Sequence, residues 1–226
     1  MKKSSILILF FLYQYFFTQP CSCIENPQLK ELISCEPQIF KNSAKIYWQY
    51  NCDSSWLIFQ NNNTKKKIFS LDKDLIDLTT RLGYSNIKEY KSSFLAEFRV
   101  ITGCCEPPEY ILHNKNNAEV IGKLGSLLYQ GKIKNKIPFI LTLKSYTSIL
   151  FTDLNTNKIS AYYIKQGLIE NIMVQNNFLT IDDIFEEIQI IDNTIRLRYK
   201  ILNNKTGRFE NKSIKINIQN FYNHPI

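Results

Sequence analysis

The chain has 226 residues, 44% of them hydrophobic and 21% charged, with only seven Gly and seven Pro. That balance excludes disordered, collagen-like and disulfide-dominated miniprotein classes. The formal net charge is +8, yet it is built from 23 Lys against 5 Arg in a chain crowded with Asn and Ile, as an AT-rich coding sequence produces. Nucleic-acid recognition leans on the bidentate geometry of Arg, so no nucleic-acid partner is expected.

Lys2 and Lys3 precede an apolar stretch from Ile6 to Phe17, interrupted only by Gln14 and followed by Thr18-Gln19-Pro20-Cys21-Ser22-Cys23. This is the pattern of a secretory signal peptide over residues 1–22. The run is too short to cross about 30 Å of hydrocarbon comfortably, and no later segment is apolar enough, so no transmembrane helix is predicted. A Cys directly behind such a leader resembles a bacterial lipoprotein signal, which implies an acylated Cys at the mature N-terminus. Cys23, after the small Ser22, suits that role better than Cys21, after Pro20. The remainder, residues 23–226, reads as a single mainly β domain because no Gly/Ser-rich or charged linker divides it.

The six Cys are Cys21, Cys23, Cys35, Cys52, Cys104 and Cys105. Cleavage after Ser22 with acylation of Cys23 leaves Cys35, Cys52, Cys104 and Cys105 as disulfide candidates in an oxidising compartment. A bond between the vicinal Cys104 and Cys105 would strain the intervening peptide, so each is expected to pair with Cys35 or Cys52. The spacing matches no zinc finger or ribbon, and Glu106 beside the pair disfavours a reactive thiolate.

Along the chain, Asn26-Pro27 opens a short helix that should stop by Cys35, with Leu29, Leu32 and Ile33 on its apolar side. From Lys45 the period becomes two. Ile46, Trp48 and Tyr50 alternate with more polar neighbours, Trp56 to Phe59 is a compact apolar run, and Asn61-Asn62-Asn63-Thr64 turns the chain into a third strand ending at Leu71. Leu71, Leu75, Leu78 and Leu82, with Gly83 behind them, predict a helix over residues 72–82. Residues 94–102 read as a strand, then Gly103-Cys104-Cys105-Glu106-Pro107-Pro108 interrupts regular structure. Residues 110–112 and 118–121 read as hairpin arms with His113 at the solvated tip. Further strands are expected at 137–143, 148–152, 158–164, 187–191, 194–201 and 213–218, joined by turn-like segments. The sum is a mainly β fold: an antiparallel meander sheet closed as a barrel or sandwich, with one or two short accessory helices. No repeat of fixed period aligns, which sets a propeller aside.

Chemistry is sparse. There are only two His, His113 and His224, and no GxSxG, HExxH, phosphate-binding Gly loop or Rossmann fingerprint. Neither a metal nor a cofactor is expected. Asp182, Asp183, Glu186 and Glu187 form an acidic cluster, which in one helical turn would pair carboxylates for glycoside chemistry; a capped turn behind Thr180 accounts for the same residues. Trp48, Tyr50, Trp56 and Phe59 could present an aromatic platform to a peptide or glycan. The reading is an exported, lipid-anchored cell-envelope protein, secreted if the anchor is lacking, acting as a non-catalytic binding module for an envelope protein, peptide or glycan and touching the membrane only through its anchor. The alternatives are a hydrolase using the acidic cluster and an inhibitor-like module presenting the loop at 103–108.

Overall fold

The computed structural model describes residues 21–100, 107–133, 137–191 and 193–219, apart from the Asp182 side chain. Residues 1–20 of the predicted leader, Cys104, Cys105 and His224 lie outside them. The chain divides into two compact units, Met1–Ile39 with Lys45–Thr79, and Phe40–Ala44 with Thr80–Ile226. The boundary after Thr79 carries no compositional mark, and the sequence reads straight through it.

The first unit is an antiparallel meander of β1 (Gln38–Ile39), β2 (Lys45–Tyr50), β3 (Ser54–Gln60) and β4 (Lys65–Asp72), in that order across the sheet. The alternation in β2 is realised as burial: Ile46, Trp48 and Tyr50 face inward while Lys45, Tyr47 and Gln49 do not. Phe59, Leu57 and Ser55 stand opposite them in register. The Asn-rich turns work through side-chain carbonyls that accept two successive backbone N–H groups. Asn51 Oδ1 takes those of Asp53 and Ser54, and Asn61 Oδ1 those of Asn63 and Thr64. The N-terminal helix shrinks to Leu29–Leu32, with Leu29 and Ile33 buried.

The helix expected at 72–82 is corrected. Leu71 lies in β4 opposite Ser55, and Gly83, with φ 72°, opens β5 instead of closing a helix. Ten residues remain between the strands, and only Lys73–Leu78 winds, as a 3-10 helix burying Ile76. It ends where the Thr79 hydroxyl donates to Ile76 O and meets Ser55 Oγ at 2.7 Å.

The second unit holds two antiparallel sheets. Seven strands, β5 (Gly83–Glu89), β6 (Ser93–Arg99), β7 (Glu109–Asn114), β8 (Val120–Ile133), β9 (Ile137–Lys144), β10 (Ser148–Asp153) and β11 (Lys158–Tyr163), lie side by side in chain order. Strands β12 (Glu187–Ile191), β13 (Thr194–Asn203) and β14 (Arg208–Asn217) form the other sheet. The mainly β, antiparallel meander class holds; among the described residues no sheet closes on itself as a barrel.

Strand β8 is the pivot. Its first half pairs with β7 and its second half with β9, from Ser126 onward. The bend falls at Gly125, whose φ is 87° and where a Cβ would lie 2.2 Å from Leu143 O, a place that admits glycine alone. Glycines at 122, 125 and 131 hid this strand from a propensity reading.

One core cluster gathers Phe139, Leu141 and Leu143 of β9 and Phe151 of β10 with Ile195 and Leu197 of β13. Helix Leu168–Asn176 adds Ile169 and Ile172 to it. That helix was legible but missed: 168, 169, 172 and 173 are apolar at helical spacing, and Asn177 ends it in the left-handed conformation. Leu95, Leu112, Leu124, Ile140 and Leu150 form a second cluster. Strand β10 is therefore buried along its whole length.

Candidate functional site

The aromatic platform does not form. Tyr50 is 2% exposed, Phe59 0% and Trp48 8%; they are the inward residues of β2 and β3, and Trp48 meets Phe69 edge to face. Alternation governs the outcome, because side chains two apart share a face. Trp56, on the other face, is half-buried and donates from Nε1 to Gln49 Oε1 at 3.1 Å. His113 is corrected likewise. It lies inside β7, 1% exposed, stacked on Phe94 with ring centroids 4.8 Å apart, and its Nδ1 is 3.1 Å from Ala118 O. It is a core histidine.

The cysteine pairing is also corrected. Cys35 and Cys52 are bonded, but to Cys21 and Cys23: the disulfides are Cys21–Cys35 and Cys23–Cys52, with Cα separations of 6.4 Å and 4.8 Å. Expected partners for Cys35 and Cys52 were Cys104 and Cys105; short closures of 14 and 29 residues prevail. The Cys23 sulfur joined to Cys52 cannot also carry a thioether, so Cys23 serves as a disulfide partner and not as an acyl attachment point. Two disulfides fit an oxidising, non-cytoplasmic environment.

The acidic cluster is divided among partners. Residues Ile181–Asp183 make one 3-10 turn, and Asp183 Oδ2 accepts from the Thr180 hydroxyl at 3.0 Å. Glu187 pairs with Arg198 at 2.7 Å and Glu186 with Lys200. Glu187 already belongs to β12, so the one-turn pairing of Asp183 with Glu187 does not arise. No two described carboxylates of this cluster converge as an acid and base would. Among the described residues no group of His, Cys, Asp and Glu could hold a metal ion, and no helix is long and apolar enough to cross a membrane.

What the sequence reading missed is a cleft of about 520 Å³ in the second unit. Its floor is a cross-strand row: Phe98 of β6 stands opposite Glu109 of β7, Glu109 opposite Ser126 of β8, and Ser126 opposite Leu143 of β9. Directly paired residues on antiparallel strands share a face, so the row is one surface. The β9–β10 turn, the end of helix Leu168–Asn176 and the segment behind it form the walls through Tyr146, Met173 and Leu179. Ser145 and Tyr146 both have positive φ, 52° and 55°, which makes the turn tight and sets Tyr146 at the rim. Apolar side chains stand open to water at the rim, with Leu179 82% and Val100 54% exposed. Arg81, Arg99 and Lys144 also line it. Arg99 and Pro107 are shared with an adjoining hollow of about 390 Å³ that reaches Leu127, Leu128 and Phe185.

Near this row the Tyr84 phenol is pushed above its ordinary value, first by burial and then by the negative charge of Glu109. A further hollow of about 520 Å³ surrounds Lys41, Glu89 and Lys115. Its buried ammonium is already satisfied: Lys115 Nζ donates to Glu89 Oε1 at 2.7 Å and to Tyr90 O at 3.0 Å. Burial works to raise the Glu89 pKa, but the hydrogen bonds from Lys115 and the Lys41 N–H, with the charges of both lysines, hold it below the usual carboxylate value. This cluster ties turns together.

No protein-family model matches the sequence, and no curated protein matches it at a significant level. The chain is similar to a solved structure described as a hypothetical selenium-binding protein from Sulfolobus tokodaii, at 9% identity and a TM-score of 0.25, over 77% of this chain and 45% of that chain. At that TM-score the likeness supports no assignment of fold or function.

Proposed function

We propose that the protein is an exported, non-catalytic binding module, and that the cleft over the row Phe98–Glu109–Ser126–Leu143 is its ligand site. One observation carries the reading: an open concave surface of about 520 Å³ keeps large apolar side chains in water at its rim, with Leu179 82% exposed. Concavities of a few hundred Å³ that combine apolar walls with a few placed polar groups are the usual form of small-molecule sites, and Val100, Tyr146 and Leu179 are exposed together at this one. Export is supported by the leader pattern and by the two disulfides.

The test uses Nile red, an uncharged dye whose emission rises in apolar surroundings, titrated into the oxidised protein. Saturable one-to-one binding is expected, and Leu179→Asp and Tyr146→Ser should each weaken it by about tenfold, the effect of losing an apolar contact worth roughly 1.4 kcal/mol. Binding that does not saturate, or that both variants leave unchanged, would refute the cleft as the site.

A further inference from the structure

We infer that the cleft selects amphipathic anions: molecules with an apolar body and an anionic oxygen head group. The inference rests on the cleft being the ligand site and adds the chemistry of its rim. Arg81, Arg99 and Lys144 line it and are exposed, and among the described residues none has a carboxylate partner; Glu109 is the one carboxylate among the described lining residues. Those described residues thus carry two positive charges in excess.

The arginines carry the most weight. The composition supplies basic charge almost wholly as Lys, with only 5 Arg in the chain, so two of the five at one rim are not explained by the bias that makes the protein basic. The fold brings them together. Arg99 ends β6 directly opposite Gly83, and Arg81 sits two residues before Gly83, so both emerge from the same end of the β5–β6 pair. By contrast, Arg198 is used in an ion pair with Glu187. Guanidinium groups bind carboxylate and phosphate oxygens with two parallel hydrogen bonds. Phe98 and Leu143 of the floor and the wall residues Met173 and Leu179 then offer apolar surface to an aliphatic tail or a ring.

Lysines elsewhere do not reproduce this arrangement. Lys65, Lys66 and Lys67 stand on the first unit's edge strand β4 and are exposed, a usual way of protecting a sheet edge.

The experiment is displacement of Nile red from the full oxidised protein by decanoate, decyl phosphate, decan-1-ol and decyltrimethylammonium, each below its micelle concentration. Both anions should displace the dye at concentrations at least about tenfold lower than the alcohol, consistent with charge-assisted hydrogen bonds, and the cation should be weaker than the alcohol. The order of the two anions identifies the head group. Arg99→Gln and Arg81→Gln should each bring the anions toward the alcohol, narrowing the ratio between them, while Lys205→Gln on the remote β13–β14 turn leaves that ratio unchanged. An alcohol as effective as the anions, or an anion preference surviving both arginine variants, would overturn the inference and leave the cleft reading intact. Binding to phosphatidylglycerol vesicles with no displacement by monomeric anions would also overturn it, in favour of a membrane surface. Failure of Nile red itself to bind would instead sink the reading on which the inference stands.

Discussion

Replacing Lys115 by Met removes the ammonium from the most enclosed ion pair among the described residues while keeping an unbranched apolar stem. The Lys115 side chain is 7% exposed and that of Glu89 18%. The variant loses the 2.7 Å bond to Glu89 and the 3.0 Å bond to Tyr90 O, and leaves the carboxylate with the Lys41 N–H at 2.8 Å. Breaking a buried pair on one side costs about 3–5 kcal/mol. Glu89 keeps some water and one donor, so the expected loss is about 2–3 kcal/mol at neutral pH. The pH dependence follows from the depressed Glu89 pKa. In the wild type the pair's stabilisation is present above the ordinary carboxylate value and is lost as pH falls through the lower folded value. In the variant, burial acts with less opposition, and protonation of Glu89 relieves the penalty. The difference between the two proteins should therefore shrink on acidification. Urea unfolding followed by circular dichroism measures this. Fluorescence does not serve, because both tryptophans, Trp48 and Trp56, lie in the first unit while Lys115 lies in the second. A loss under about 0.5 kcal/mol, as an exposed pair would give, or a difference that stays constant with pH, would refute the reasoning.

Tryptophan fluorescence is the proper reporter for the disulfides. Cys23→Ser opens a closure of 29 residues and should cost the first unit about 3.5 kcal/mol on the chain-entropy model, and non-reducing peptide mass spectrometry should recover Cys21 with Cys35 and Cys23 with Cys52. A Cys23–Cys52 peptide missing from the oxidised protein, or Cys23 found carrying an acyl chain, would contradict the structure. Gly125→Ala should lower stability by more than about 2 kcal/mol or prevent folding, since the new methyl would meet Leu143 O at 2.2 Å with φ at 87°. Gly207→Ala, at a turn with open space around it but φ 66°, should cost about 1 kcal/mol, so the contrast between the two thermal melts separates the close approach from the conformational term.

Much of the fold is legible residue by residue, and the failures share a cause. Strands with clean alternation, such as Lys45–Tyr50, or dense apolar runs, such as Ile137–Lys144, were placed to within a residue or two. Strand β8 was not, because its glycines serve a bend that exists only against β9. The leucines of residues 71–82 carry helical spacing, yet Leu71 is drawn into β4 by its partner Ser55 on β3, a tertiary claim that overrides local preference. The aromatic set at 48, 50, 56 and 59 was visible as aromatic, but which side faces water is fixed by what covers the sheet.

The sequence by itself determined the mainly antiparallel β class, the turns built on Asn side chains, the poverty of catalytic groups and the use of cysteine for disulfides, because composition, period and turn chemistry are local properties. Only the tertiary structure decided which cysteines pair, that His113 is core, and that Arg81, Arg99 and Lys144 stand at one rim with Tyr146 and Leu179. Those residues are dispersed over about a hundred positions, each ordinary in its own neighbourhood. A cleft is a property of distances across strands, and register between distant segments is set by packing, which no local pattern encodes.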